Sequence, residues 1–518
     1  MHGTHIRIAI AALAWCVLPA GYAAAQNEVG KWMRFETALE NPTWEGNPFD
    51  VDLKGVFRSP SGRSLTQGGF YAGNQVWKIF FMPDEIGTWT FRTQSPDSDL
   101  DGKHGSFACV PSPLPGLLYG EGPHWVLREK GGDFPVIWNP PMSDGVRWGF
   151  RSRLRSHDTI EEALEFAAGT VGARLLGFDA LLIVPTGWAG DWPQSAVPYV
   201  VGQEGVQFHL PFWDRLNAKL DAARDRGMGH YIMLYSDDEL RPDLFGLTPR
   251  SKREMRFLRY AVARLACYPI VLWDSGIDIG EYRSGDWIDW YVKWFKQNDP
   301  WRHPVGSRTG GGSGGKIPEG ATYLSTGGAS LPGRDALIEE YWAMVTRLSI
   351  PVAHTDHWRP YIARGDWSHE KIRVAHWRCA LSGGQALYPD YNQGRFVWDE
   401  VVGQGGPWIG HASRFFRTKL RSDMRQLRPD DRIVLGGDKA IAAVNPGKEY
   451  IVYLEECGRV ELDLGRRPGA LEAQWYNPRT GEYAGPKRRI GETELAVFSS
   501  PTQGPHEDWV LHICAEDN

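Results

Sequence analysis

Three parts are predicted: a central (β/α)8 barrel of the TIM type, a β-sandwich ahead of it and a second β-sandwich behind it. Three observations predict this multidomain class. The 518 residues exceed what one hydrophobic core fills. Both ends of the chain alternate apolar and polar residues between turn signals, the pattern of short strands. Between them, over about 117–430, short apolar runs alternate with stretches of helical periodicity about eight times.

The chain opens with Arg7, an apolar run from Ile8 to Leu18, and Ala23-Ala24-Ala25 before Gln26. A positive start, a short apolar stretch and small residues make a secretory leader over 1–25. The apolar run is too short to span a bilayer, and no later stretch is long enough. A secreted or periplasmic protein is expected, with no membrane span. Residues 27–112 form the N-terminal sandwich. Its strands include Val51–Phe57, Val76–Phe81 and Trp89–Thr93, with a turn at Ser59-Pro60-Ser61-Gly62. Pro111 to Gly116 is a linker.

The barrel, 117–430, begins with the strand Phe134–Trp138. Asp158 is the expected cap of the first helix, with Glu161 three residues on. Phe178–Val184 is the next strand, and Pro211 starts a helix that Gly227 closes. His230–Tyr235 and Pro269–Trp273 are the third and fourth strands, separated by a helix near 252–266. A helix over about 286–297 follows. Val305–Arg308, Tyr323–Ser325, Ile350–Ala353 and Gln385–Tyr388 are the later strands, with helices near 335–348, 368–381 and 408–426. A doubly wound open sheet is disfavoured because no Gly-rich phosphate fingerprint follows the first strand. The C-terminal sandwich, 431–518, contains Ala440–Val444, Tyr450–Leu454 and Trp509–Ile513.

A net charge of −6 gives no reason to expect a nucleic-acid partner. The 24 Trp, 19 Tyr and 21 Phe are more telling. An indole offers a flat apolar face and one donor, which suits both a core and the apolar C–H face of a sugar ring. Beyond the leader five cysteines remain, in no close metal-binding pair; a Cys457–Cys514 disulfide is one option. His354 and His357 gather no third ligand, so no metal and no cofactor is expected. No triad or zinc motif supports a peptidase.

Active sites of such barrels lie at the C-terminal ends of the strands. Cleaving a glycosidic bond needs two carboxyls there, one to donate a proton and one to attack or to activate water. Strand-end candidates are Asp237, Asp238 and Glu239, then Asp274, Asp278 and Glu281, then Asp356 and Asp390. Trp138, Asn139, Trp188, Asp237, Glu281, His354, His357, Trp358, Tyr388 and Tyr391 are the substrate-contact candidates near those ends.

Trp273-Asp274-Ser275-Gly276-Ile277-Asp278 resembles the Trp-x-x-x-Asn-Glu segment that ends the fourth strand of retaining (β/α)8 glycosidases. Pro351 to Asp356 resembles their seventh-strand segment. Together these resemble the apiosidase-like glycoside hydrolases. Gly46-Asn47-Pro48-Phe49, Gly69-Phe70-Tyr71 and Phe81 to Trp89 resemble an uncharacterised sandwich domain found ahead of such barrels, domain of unknown function 5060. Trp475 to Gly481 and Asp508 to Leu511 resemble a collagen-binding-type domain that ends them.

The resemblance implies a secreted hydrolase of plant or microbial polysaccharide or oligosaccharide, with Asp278 as acid/base and Asp356 as nucleophile. Glu281 and Asp237 are the reserves. Ile277 stands where the pattern has Asn, and Asp replaces Glu at both catalytic positions. Two shorter side chains widen the carboxyl gap from about 5–5.5 Å toward the roughly 6.5–9.5 Å that admits a water. Reach therefore points to inversion where the resemblance implies retention. The altered Ile277-Asp278 pair also feeds an alternative, a non-catalytic glycan-binding or cell-surface protein on a degenerate barrel.

Overall fold

The computed structural model describes residues 24–139, 159–177, 199–235, 241–309, 317–326, 347–355, 368–389 and 405–516, apart from short gaps within them, Ile277 among them. Most of the expected leader lies outside these residues. Ala24–Ala25 is a two-residue strand paired antiparallel with Phe35–Glu40.

The N-terminal part is an eight-stranded sheet between Ala24 and Val110. Ser64–Gly73 pairs with Lys54–Arg58 through its first half and with Val76–Phe81 through its second. Strand alternation puts Trp89, Phe91 and Thr93 inside and the residues between them outside. Phe57 stacks on Phe81 at 3.8 Å and Phe35 on Phe107 at 4.0 Å, so the centre of this part is aromatic. It seats on the helix Lys252–Leu265. Gln67 Nε2 donates to the Ala263 carbonyl at 3.2 Å, and the Tyr260 hydroxyl donates to the Tyr71 carbonyl at 3.0 Å.

The middle of the chain builds one parallel sheet. Its order is Val305–Gly306, Val271–Gly276, Gly229–Tyr235, Leu175–Leu176, Ile137–Asn139, Gln385–Pro389, Val352–His354, Leu324–Thr326 and Arg308–Thr309. Only Ser307 separates the two end segments in the chain. One face gathers Ile137, Leu175, Tyr231, Met233, Leu272, Tyr323 and Ala353, packed with Leu118, Trp125 and Leu127 of the three-stranded sheet Leu118–Asp133. The other face meets the helices. Leu210–Asp225 has Pro211 in its first turn, buries Phe212, Leu216, Leu220 and Ala223, and is followed by Gly227 at φ 69°.

Several boundaries differ from expectation. The first helix is capped by Thr159 with Glu162, one residue later than Asp158 with Glu161. The helix expected over 408–426 runs Gly406–Thr418, and Met424–Gln426 is a separate turn. Asp423 causes the break: its carboxylate accepts from Gly132 N and from Arg425, which turns the chain back onto the three-stranded sheet. The second parallel strand is Leu175–Leu176, ahead of the expected segment; 178–184 lies outside the described residues. So does most of the helix expected over 335–348.

The C-terminal part has a six-stranded and a three-stranded sheet around Val452, Leu462, Phe498, Leu511 and Ile513. Arg373 of the helix His369–Leu381 forks onto Asp508 at 3.0 and 2.9 Å, and Tyr453 donates to the same carboxylate at 2.7 Å. Cys457 and Cys514 are both free thiols, so the disulfide expected as an option does not form. In the antiparallel pairing Leu454 faces Trp509 and Glu449 faces Cys514. The Leu454 end of this pairing therefore lies five strand residues from Cys514, and Cys457 follows three residues beyond it, out of reach of an S–S bond.

Candidate active site

The site is built on the C-terminal ends of the parallel strands. Above the apolar layer the same face turns polar. Leu272 faces inward, so alternation turns Asp274 inward as well. Asp274 is fully buried and accepts from the Tyr231 hydroxyl at 2.8 Å, Gly276 N at 3.1 Å and Arg308 N at 3.3 Å. Tyr231 also meets Ser325 at 3.1 Å, and Ser325 meets Thr355 at 3.0 Å. These bonds tie the fourth, third and later strands together at one level. Burial pushes the Asp274 carboxyl above its ordinary range, against the pull of the Tyr231 and backbone donors. Its ring neighbours Tyr231 and Tyr323 are raised too, first by burial and then by Asp274.

Past Asp274 the backbone leaves the sheet sharply. Gly276 has φ 152°, and a Cβ there would stand 2.5 Å from the Tyr235 carbonyl oxygen, so only glycine fits the approach. Asp278 follows in the left-handed region, at φ 43° and ψ 39°, which Asp tolerates better than most residues. Its side chain is 30% exposed, and Oδ1 lies 3.4 Å from Nη2 of Arg308, which is 6% exposed. Arg308 thus joins the two levels: its backbone N–H serves Asp274 and its guanidinium serves Asp278.

The loop carrying Asp278 is anchored from below. Arg283, whose side chain is fully buried, donates to Asp243 Oδ1 at 2.8 Å, to the Leu247 carbonyl at 2.7 Å and to Glu254 Oε1 at 3.2 Å. Glu254 also accepts from Trp287 Nε1 at 3.1 Å and Tyr235 Oη at 3.3 Å. Burial raises the Glu254 carboxyl even so. The loops after the third and fourth strands are therefore clasped by one buried pair.

The other expected residues fall as follows. Glu281 is exposed on the turn after Asp278, and its N–H donates to the Asp278 carbonyl at 2.9 Å. Trp138 is fully buried, 5.8 Å from the Phe166 ring. Ile137 takes the inner face, so Trp138 packs in the core rather than at the strand ends. Asn139, His354 and Tyr388 lie in strands, paired in register with Pro389, Ala386 and Trp138, while their side chains lie outside the described residues. Asp356, His357, Trp358, Trp188, Asp237 and Tyr391 are also outside them. Tyr231, Tyr323 and Arg308 were not singled out from the sequence. The period-two pattern of their strands is the signal that points Tyr231 and Tyr323 to the inner face. Among the described residues no cluster of three His, Cys, Asp or Glu could hold a metal, and no helix is long and apolar enough to cross a membrane.

Two family models match parts of the chain. Residues 28–96 match "Domain of unknown function (DUF5060)", and residues 429–513 match "Putative collagen-binding domain of a collagenase". No curated protein matches the chain. Among solved structures, a crystal structure titled as a "putative glycoside hydrolase" from Bacteroides vulgatus aligns with a TM-score of 0.71 at 17% identity, over 95% of this chain and 100% of that one. A glycoside hydrolase family 5 structure from the same species aligns at 0.57 and 14% identity, over 78% and 95%. A third, titled "Glycoside hydrolase", aligns at 0.56 and 14%, over 78% and 99%. The chain shares their fold.

Proposed function

We propose that this chain is an exported glycoside hydrolase, of the apiosidase-like kind, that cleaves a plant or microbial polysaccharide or oligosaccharide. One observation carries the reading. Asp278 stands partly exposed just beyond the end of the fourth parallel strand, braced by Arg308 above the buried Asp274–Tyr231–Ser325 layer. The parallel segments support closure into a (β/α)8 barrel, since the two ends of the sheet are one residue apart in the chain. The likeness in fold to structures titled as glycoside hydrolases agrees with it. Residues 1–25 serve as the export leader, 27–112 and 431–518 as flanking domains, and 117–430 as the catalytic domain.

In the proposed reaction Asp278 protonates the leaving oxygen, and Asp356 attacks the anomeric carbon or draws a proton from water. Arg308 is a positioning residue that fixes the Asp278 carboxyl. The test is turnover of a panel of aryl glycosides and polysaccharides by Asp278→Asn and Asp356→Asn. Each is expected to lose roughly 10²–10⁴-fold in kcat, the usual share of general acid–base catalysis, with an unchanged melting temperature. Glu281→Gln is expected to stay active. Full activity in both Asn variants would sink the assignment, and binding without turnover of any glycan would favour the binding-protein alternative. NMR of the first product anomer separates inversion, which the short side chains favour, from the retention implied by resemblance.

A further inference from the structure

A second site lies far from the strand ends, in the C-terminal part. A cleft of about 230 Å³ opens between the end of the helix Gly406–Thr418 and the sheet edge. Lys419, Arg421, Glu472, Gln474, Tyr483 and Lys487 supply its polar wall. Its place is set by Arg417, which donates to Asp133 Oδ1 at 3.1 Å, just before the first parallel strand. The cleft therefore sits at the N-terminal end of the parallel sheet, opposite the Asp278 mouth.

Its floor is a fixed relay. Tyr483 Oη lies 2.7 Å from His512 Nδ1, and His512 Nε2 lies 2.7 Å from Glu449 Oε1. Glu449 is fully buried and also accepts from Arg421 N and Ser422 N, which with His512 hold its carboxyl below the ordinary range against burial. A carboxylate accepts only, so His512 Nε2 donates to Glu449. Tyr483 and His512 both line the cleft. Burial drives the Tyr483 hydroxyl far above its usual value, so it stays neutral.

The rim is basic. Three cations, Lys419, Arg421 and Lys487, face one carboxylate, Glu472, which Lys487 reaches at 2.7 Å and Arg421 at 4.0 Å. Lys487 and Arg489 lie along Glu482–Ile490, the outermost strand of its sheet, with Arg489 paired with Glu516 at 3.0 Å, while Arg488 between them turns to the other face, onto the Phe498 ring. An extended ligand can lie along that edge.

We propose that this cleft is an ancillary binding site for an acidic glycan, a chain of uronate-type sugars. The surplus of cations calls for an anion. Glu472 in the wall opposes a bare phosphate or a run of acidic side chains, but it accepts hydrogen bonds from sugar hydroxyls, as does the Gln474 amide oxygen. The volume falls below the ~300–1,000 Å³ of enclosed ligand sites. It suits one ring of a polymer that continues along the basic edge. Placed opposite the mouth, it tethers polymer rather than presenting a bond for cleavage.

The test is calorimetry on the full chain with oligogalacturonate, its neutral galactan counterpart of equal length, and poly-L-glutamate, at low and high salt. Wild type and Asp278→Asn are expected to bind oligogalacturonate equally, and more weakly as salt rises. Lys419→Gln/Lys487→Gln, both positions exposed, is expected to lose at least tenfold in affinity with an unchanged melting temperature. The neutral oligomer and poly-L-glutamate are expected to bind at least tenfold more weakly than oligogalacturonate. The proposal is overturned by undiminished binding in the double variant, by equal binding of either control, or by no binding at all. Loss of binding in Asp278→Asn would move the site to the mouth and overturn it too, while failure of catalysis alone would leave it standing.

Discussion

Asp133 and Asp274 are buried at opposite ends of one parallel sheet, and their carboxyls are pushed in opposite directions. Asp133 lies before the first strand and meets two guanidiniums: Arg174 at 3.0 Å and Arg417 at 3.1 Å. These hold its carboxyl down at about 2 in spite of burial. Asp274, at the end of the fourth strand, meets a phenol and backbone N–H groups, and burial wins. The nearby Arg308 guanidinium is directed to Asp278 instead. Burial is common to both; what differs is whether a full opposite charge compensates it. One end of the sheet is neutralised and locked, and the other carries an uncompensated carboxyl beside the candidate site, as functional sites often do.

The largest effect is expected at the locked end. Asp133→Ala leaves Arg174 and Arg417 facing each other without their anion, and should cost about 3–5 kcal/mol of unfolding free energy. Denaturant unfolding measures it, and activity per folded molecule should be unchanged. The pH response has a definite sign. A carboxyl lowered from 3.8 to about 2 stabilises the fold above its unfolded value. That stability is lost as pH falls from about 4 to about 2, amounting to ~2 kcal/mol. The variant should lack this acid limb. A cost below about 1 kcal/mol would erase the contrast between the two ends.

Asp274→Asn comes next. The amide keeps one acceptor oxygen but turns an N–H₂ toward groups that themselves donate, which should cost about 1–3 kcal/mol. Here the sign reverses. A folded-state carboxyl raised above its ordinary value contributes stability in acid and loses it as pH rises through the raised value. Wild type therefore weakens from pH 4 to pH 7 through this group, and the variant does not. The stability gap between them should be smaller at pH 7 than at pH 4. A gap that widens would place Asp274 with Asp133 as a compensated anion.

How much of this was legible in the sequence follows the same division. Val76–Phe81 and the helix Lys252–Leu265 were visible because burial on one face imposes a period that the residues repeat. The cap at Thr159 was missed by one position because Asp158 with Glu161 and Thr159 with Glu162 satisfy the same rule. The break after Thr418 was not visible, since it depends on Asp423 reaching Gly132, 291 residues away. At the candidate site, Asp278 is proposed from its spacing from Trp273, a local signal. Arg308 is not, because its role rests on two strands meeting at one level. Buried layers assembled from several strands leave little trace in any one of them.

The smallest predicted effect tests how finely that layer is tuned. Tyr323 Oη donates to the Trp273 carbonyl at 3.1 Å and lies 3.5 Å from Asp274 Oδ2, at the limit of a hydrogen bond. Tyr323→Phe removes one good bond and keeps the ring, while the Trp273 carbonyl keeps its place in the ladder with Val305–Gly306, so it should cost about 0.5–1.5 kcal/mol. Because the contact to Asp274 is marginal, the pH dependence assigned to Asp274 should survive in the variant. If that dependence vanishes with the phenol, the tyrosine rather than burial governs the carboxyl. The two ends of the sheet would then differ in hydrogen bonding and not in charge compensation.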